Sequence, residues 1–211
     1  MVQKTTKTEP GRSARGRGRP RSYDPETALR SATETFWRGG FSGTSLDDIA
    51  AATGMNKPSL YAAFGDKHAL YLEVLSRYWQ LAFASMREAL AEDLPLDEAL
   101  MRVYDGAMAI YFSGAGPAQG CFVVGTAVTE ALEDREIRDS LAAGIRTFDA
   151  GFETRFRRAR EQGELKKEAD PAALAVLATA MMHTIAIRAR AGIPRAELRE
   201  LASKAVEVIC G

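Results

Sequence analysis

The side chains best suited to chemistry in this chain are cations, and they crowd one end. Lys4, Lys7, Arg12, Arg15, Arg17, Arg19 and Arg21 face only Glu9 within residues 1–22, a net charge of +6, although the 28 Lys+Arg and 28 Asp+Glu of the whole protein cancel. The rest of the chain therefore sums to −6. A basic segment on an acidic body is an arm for a polyanion, and the body's sign argues against wrapping nucleic acid around the whole protein. Residues 1–22 have hardly an apolar side chain to order them and are expected to be disordered alone. Other chemistries are poorly served. His68 and His183 are the only histidines, and Cys121 and Cys210 lie 89 positions apart, which fits neither a zinc site nor a disulfide framework. No G-x-S-x-G, H-E-x-x-H, Walker or dinucleotide fingerprint occurs, so neither catalysis nor a cofactor is expected. The N-terminus lacks the apolar stretch of a signal peptide, and the longest uncharged helical segment, Ala172 to Ile187, has 16 residues. That is short for a membrane span, so no membrane partner is expected and the compartment reads as the cytoplasm.

The elements that must position any site are helices. In "TSLDDIAAATGMNKPSLYAAF" (residues 44–64), Thr44 or Ser45 can cap a short helix whose inward face is Leu46, Ile49 and Ala50. Gly54 stands where a sharp turn needs positive φ. Met55 packs back, Asn56 can cap the next helix, Pro58 falls in its first turn, and Leu60 and Phe64 point inward. Spacing alone leaves two readings open: an ordinary αα corner, or a helix-turn-helix whose second helix enters a DNA major groove. The helix before it favours the second. Asp24 caps it and Pro25 opens it; Ala28, Leu29, Ala32, Phe36 and Trp37 form its apolar face, and Gly39-Gly40 ends it. The basic arm lies directly before. Thr44 and Lys67, at helix N-termini, are then placed for phosphates.

Amphipathic stretches at 67–91, 96–112, 118–132, 134–162, 171–191 and 194–209 are punctuated by Pro95, a Gly/Pro run at 114–117, Gly163, Asp170-Pro171 and Gly192 to Pro194. Nothing alternates with period two. The expected architecture is all-α with about nine helices: an arm at 1–22, a helix-turn-helix domain at 23–68 and a helical domain at 69–211.

Residues 24–72 resemble the DNA-binding domain of the TetR (tetracycline-repressor-like) family of transcriptional regulators. The run "ETFWRGGFSGTSLDDIAAATGMNKPSLYAAFGDKHAL" follows that family's pattern without a gap, with "DIA" before the turn glycine and "DKHAL" opening a fourth helix. Beyond Leu72 the similarity is one of architecture, helped by "GCFVVGTAVTE" (120–130) and "GELKKEADPAAL" (163–174). The resemblance implies that Lys57, Pro58, Ser59 and Ala62 face bases, that Asn56 caps, contacts bases or both, and that Tyr61 meets a phosphate. Ala62-Ala63 depart from the family pattern, where aromatics or histidine are frequent, which implies weaker or purely apolar contacts there. Arg17-Gly18-Arg19-Pro20-Arg21 resembles an AT-hook core, placing Arg17, Arg19 and Arg21 in an A·T-rich minor groove; the alternative is a solvated tail giving nonspecific attraction.

TetR-like proteins also carry a ligand cavity among their middle helices. That nominates Trp79, Phe83, Met86, Tyr104, Met108, Tyr111, Phe122, Thr126, Phe148, Phe152 and Met181 as lining, although most residues of these types are core. Thr126, Thr129 and His183 could supply polar anchors. Cys121, with no cation beside it in sequence, reads as a small buried hydrophobe. The last two helices carry more apolar surface than a monomer's edge needs, and Ala178 is placed on that surface. In the family this pair forms a four-helix bundle with a symmetry mate, setting two recognition helices about 34–36 Å apart. The implied protein is a homodimeric DNA-binding regulator, a repressor released from a near-palindromic operator by a small, largely apolar ligand. Its partners would be double-stranded DNA, a second copy and that effector. The alternatives are a sequence-tolerant architectural DNA binder, and a helical ligand carrier or enzyme.

Overall fold

The computed structural model describes residues 24–91, 93–114 and 116–211; the arm at 1–22, with Arg17, Arg19 and Arg21, lies outside them. Among the described residues the protein is built of helices without strands. α1 (Pro25–Gly39), α2 (Leu46–Thr53) and α3 (Lys57–Phe64) precede the long α4 (Lys67–Ala91). After α5 (Leu96–Tyr111), a π-helical turn (Val123–Ala127) runs into α6 (Val128–Glu130), followed by α7 (Arg135–Gln162), α8 (Pro171–Arg190) and α9 (Arg195–Cys210).

Local signals set most of these boundaries. The Asp24 carboxylate accepts from the Glu26 and Thr27 N–H groups, and Ser45 forms a reciprocal capping box with Asp48. Asp134 and Asp170 cap α7 and α8 in the same way. Each cap satisfies N–H groups that a first helical turn otherwise leaves unpaired. Gly54, left-handed at φ 68°, turns the chain from α2 into α3.

Aromatic contacts join the first three helices to the rest. Phe36 of α1 meets Tyr71 of α4 edge-on at 5.2 Å, and Trp37 meets Tyr78 at 5.5 Å and Phe122 at 5.7 Å. Edge-to-face pairs of this kind contribute roughly 0.5–1.5 kcal/mol beyond area burial. The core is therefore continuous across the expected 68/69 boundary, which falls inside α4. Farther on, α8 lies along α7, and α9 packs on α5 and α8.

Two expectations are corrected. The helix expected from 118 begins only after Cys121, because Gly120 takes a left-handed φ of 69° against α8. A Cβ on Gly120 would stand 2.5 Å from the Ala186 carbonyl oxygen, so the chain passes α8 too closely for any side chain. Ala178 is not on the outer face of α8. It is fully buried within the protomer, where its carbonyl accepts from the Tyr104 hydroxyl at 3.3 Å. The outer face carries Val176, Leu177 and Ile187, with Val208 on α9, all exposed. By length and composition α8 is also apolar enough to cross a membrane, but Ala175, Ala178, Met182 and Ile185 are buried against its neighbours.

Candidate nucleic-acid interface and effector cavity

The turn at Gly54 sends Met55 and Leu60 inward and leaves one side of α3 in solvent. Lys57, Pro58, Tyr61 and Ala62 are exposed, and Ser59 is half-buried. Asn56 does cap α3: its Oδ1 accepts from the Ser59 N–H at 2.9 Å. Tyr61, next to buried Leu60, is 52% exposed. The Lys57 ammonium pairs with the Asp47 carboxylate of α2 at 2.8 Å, and that hydrogen bond raises its pKa above the ordinary lysine value.

Thr44 and Lys67 are used differently from what their positions suggest. Thr44 is buried, and its hydroxyl donates to the Gly40 carbonyl at 2.7 Å; Ser45, not Thr44, caps α2. The Lys67 ammonium donates to the Phe41 carbonyl at 3.1 Å and the Thr44 carbonyl at 3.0 Å, and lies 4.3 Å over the Phe41 ring. Both side chains close the loop between α1 and α2. The α4 N-terminus already has an anionic cap, since the Asp66 carboxylate accepts from the Ala69 N–H at 2.8 Å. Sequence position located these helix ends correctly but could not show that the fold itself fills them.

A cavity of about 370 Å³ lies among α4, α5, the π-helical turn, α7 and α8. Trp79, Met86, Tyr111 and Phe148 line it, as the sequence suggested. Phe83, Tyr104, Met108, Phe122, Thr126, Phe152 and Met181 do not. Phe83 stacks behind Trp79 at 5.2 Å, and Tyr104, Met108, Phe122 and Phe152 are fully buried core. Thr126 points to Tyr71, and on α8 it is Met182 that reaches the cavity. Ser85, Cys121 and His183 supply polar groups in a mainly apolar wall that also includes Tyr78 and Tyr111. Burial lowers the His183 pKa and keeps the imidazole neutral near pH 7. Burial also pushes the Cys121 thiol up, and the Tyr78 hydroxyl donates to its Sγ at 3.2 Å. The wall is thus suited to a neutral, mainly apolar guest.

The same wall reaches the first three helices. Val123 and Val124 of the π-helical turn face the cavity, while Thr126 in that turn is 2.7 Å from the Tyr71 hydroxyl. A few residues on, both Glu130 oxygens accept from the Ser42 hydroxyl at 2.9 Å, in the loop after α1. His68 at the start of α4 lies 2.7 Å from the Asp134 carboxylate. The Ile137 N–H, with His68 adding to it, holds that carboxyl below its usual range.

Comparison with known proteins agrees with this arrangement. Residues 28–74 match the family described as bacterial regulatory proteins, tetR family, and residues 98–203 match the tetracyclin repressor-like C-terminal domain. The chain is 30% identical over 190 residues to the HTH-type transcriptional repressor ComR of Escherichia coli (strain K12), covering 89% of this chain and 90% of ComR. It is 37% identical over 107 residues to the repressor BdcR of the same strain, covering 51% of this chain and 54% of BdcR. Among solved structures, a cysteine mutant of the TetR family regulator CifR, complexed with 26-base-pair double-strand operator DNA, superposes with a TM-score of 0.81 at 31% identity. That match covers 90% of this chain and 98% of CifR. The chain belongs to the TetR family of bacterial regulatory proteins and is a helix-turn-helix transcriptional regulator, not an enzyme.

Proposed function

We propose that the protein is a cytoplasmic, homodimeric repressor whose α3 reads a near-palindromic operator and which leaves it when a small, largely apolar molecule fills the cavity. One observation carries the effector half of this reading. The π-helical turn that walls the cavity also holds Tyr71 through Thr126 and leads directly to the Glu130–Ser42 bond. A guest that prefers a different arrangement of that turn shifts the population toward conformers with displaced recognition helices. The DNA half is supported by the exposed face of α3 and by the operator complex of CifR. Exposed Val176, Leu177, Ile187 and Val208 support a dimer through α8 and α9. For Asn56, Lys57, Pro58, Ser59, Tyr61 and Ala62 the proposed role is operator contact. Arg17, Arg19 and Arg21 are proposed to lie in the adjacent minor groove.

The test has two stages. The wild-type protein selects a preferred duplex from a random pool of about 30 base pairs, long enough for two half-sites one helical turn apart. Neutral apolar compounds that raise the melting temperature are then scored for release of that duplex. A preference for the selected over a scrambled duplex below ~10³ places the protein with sequence-tolerant binders instead. Stabilising compounds that never change DNA affinity contradict the effector half.

A further inference from the structure

We propose that Asp47 is a specificity-determining residue that acts through Lys57, keeping its ammonium paired until a base acceptor in the operator replaces the carboxylate. This rests on the reading of α3 as the recognition helix. Between residues 44 and 66 the charged side chains are Asp47, Asp48, Asp66 and Lys57. The segment that faces DNA in that reading therefore holds one cation against three anions, an unusual balance for a surface meeting a polyanion.

Two of the carboxylates are explained by the fold. Asp48 accepts from the Ser45 N–H at 2.9 Å and the Ser45 hydroxyl at 2.6 Å, completing the α2 cap. Asp66 caps α4 through the Ala69 N–H. Asp47 has no such duty. Its exposed carboxylate reaches across to α3 and meets the Lys57 ammonium at 2.8 Å. Both partners are open to solvent, so the pair is weak enough to exchange. Lys57 is also the sole cation of the segment.

The consequence is selective. On random DNA a phosphate competes with Asp47 for Lys57, and a phosphate that draws the ammonium away leaves the Asp47 charge unpaired beside the phosphates. A paired, neutral unit releases no counterions, so it adds little to nonspecific affinity. On an operator, a purine acceptor such as guanine O6 or N7 takes the ammonium with directed hydrogen bonds in the major groove. The ion pair subtracts the indiscriminate part of the lysine's attraction and spares the base-specific part. Discrimination requires such an element acting against the wrong partner.

The experiment uses the full-length protein, the duplex it selects from a random pool and a scrambled duplex of equal composition. Binding is followed by fluorescence anisotropy over a range of salt concentrations. Asp47→Asn should bind the scrambled duplex about fivefold more tightly, as loss of one exposed pair in each of two subunits implies. It should gain less on the selected duplex, so the preference narrows. The salt slope on scrambled DNA should steepen by about 0.9 per subunit as Lys57 takes up a phosphate. Asp47→Glu, which keeps charge and reach, should behave as wild type. In a Lys57→Ala background Asp47→Asn should change neither preference nor slope. An Asp47→Asn effect that persists at full size without Lys57, or a preference and slope left unchanged by Asp47→Asn, overturns the proposal. Wild-type protein that fails to distinguish the two duplexes overturns the reading of α3 itself, which is a separate result.

Discussion

Tyr71 and Thr126 allow a prediction whose sign depends on which hydroxyl donates. The Thr126 hydroxyl is 2.8 Å from the Phe122 carbonyl, which can only accept, so the single threonine proton is committed there. The Tyr71 hydroxyl, 2.7 Å away, must therefore donate to Thr126, and its pKa, pushed up to about 12 mainly by burial, keeps that proton in place. The two truncations are then unequal. Tyr71→Phe removes a donor but leaves Thr126 bonded to Phe122, for a loss of about 1 kcal/mol. Thr126→Val nearly preserves volume but strands a buried tyrosine hydroxyl, adding its desolvation penalty, for a total of about 2–3 kcal/mol. The double variant replaces both polar groups by apolar ones and should be no worse than Thr126→Val alone. Urea denaturation at one fixed protein concentration measures all three, since an oligomer's apparent stability depends on concentration. Thermal midpoints should follow at roughly 2–4 °C per kcal/mol for a chain of this length. Equal losses for Tyr71→Phe and Thr126→Val, or strict additivity in the double variant, would refute the donor assignment.

Leu177→Glu, on the exposed face of α8, should give a folded monomer by light scattering and a collapse in operator affinity, whereas Ala178→Glu should unfold the protomer by burying an unpaired charge; a dimeric Leu177→Glu protein places the interface elsewhere. At Gly144 a Cβ would stand 2.2 Å from the Trp79 ring, so Gly144→Ala should displace the indole, shift tryptophan emission and cost about 1–3 kcal/mol of overpacking against a smaller gain in helix propensity; unchanged emission with a higher melting temperature counts against that packing. Because the Asp134 carboxyl titrates below its ordinary 3.8 when folded, its charge contributes stability above that value and loses it as pH falls through the folded pKa. Asp134→Asn can still cap α7, so its deficit should be present above 3.8 and fade as pH falls through the folded pKa; a deficit that persists at full size in acid points to a cause other than the charge.

What could be read from sequence follows the range of the interaction involved. Asp24, Ser45, Asn56 and Asp170 cap their own helices within three residues, so their roles are local and legible. Thr44 and Lys67 also sit at helix ends, yet their side chains turn toward Gly40, Phe41 and neighbouring carbonyls, a direction fixed by how α1 and α4 pack. The cavity shows the same limit. Large aromatics such as Phe152 and Tyr104 attract attention but fill space, while the void exists where Ala82, Ser85 and Ala107 are small. Met181 and Met182 differ by one step of about 100° on α8, and only packing against α7 decides which one faces inward. Asp47 beside Lys57 was beyond sequence reading because the two residues are on different helices and meet only across the Gly54 turn.

α4 joins the reading head to the cavity wall without a break. Its 25 residues contain neither glycine nor proline, the usual sites where a helix can bend, so it should move as a stiff rod. Lys67 stands at one end under the α1–α2 loop, and Met86 lines the cavity nineteen residues on, a span of about 28 Å at the rise of an α-helix. A tilt of about 5° about the Met86 end carries the Lys67 end through roughly 2.5 Å. Two mirrored tilts in the proposed dimer change the separation of the recognition helices by up to about 5 Å, against a DNA repeat of about 34–36 Å. The groove spacing tolerates little of that mismatch, so under the proposed release mechanism the effector has to displace the cavity side of the rod by only a fraction of one side chain's width.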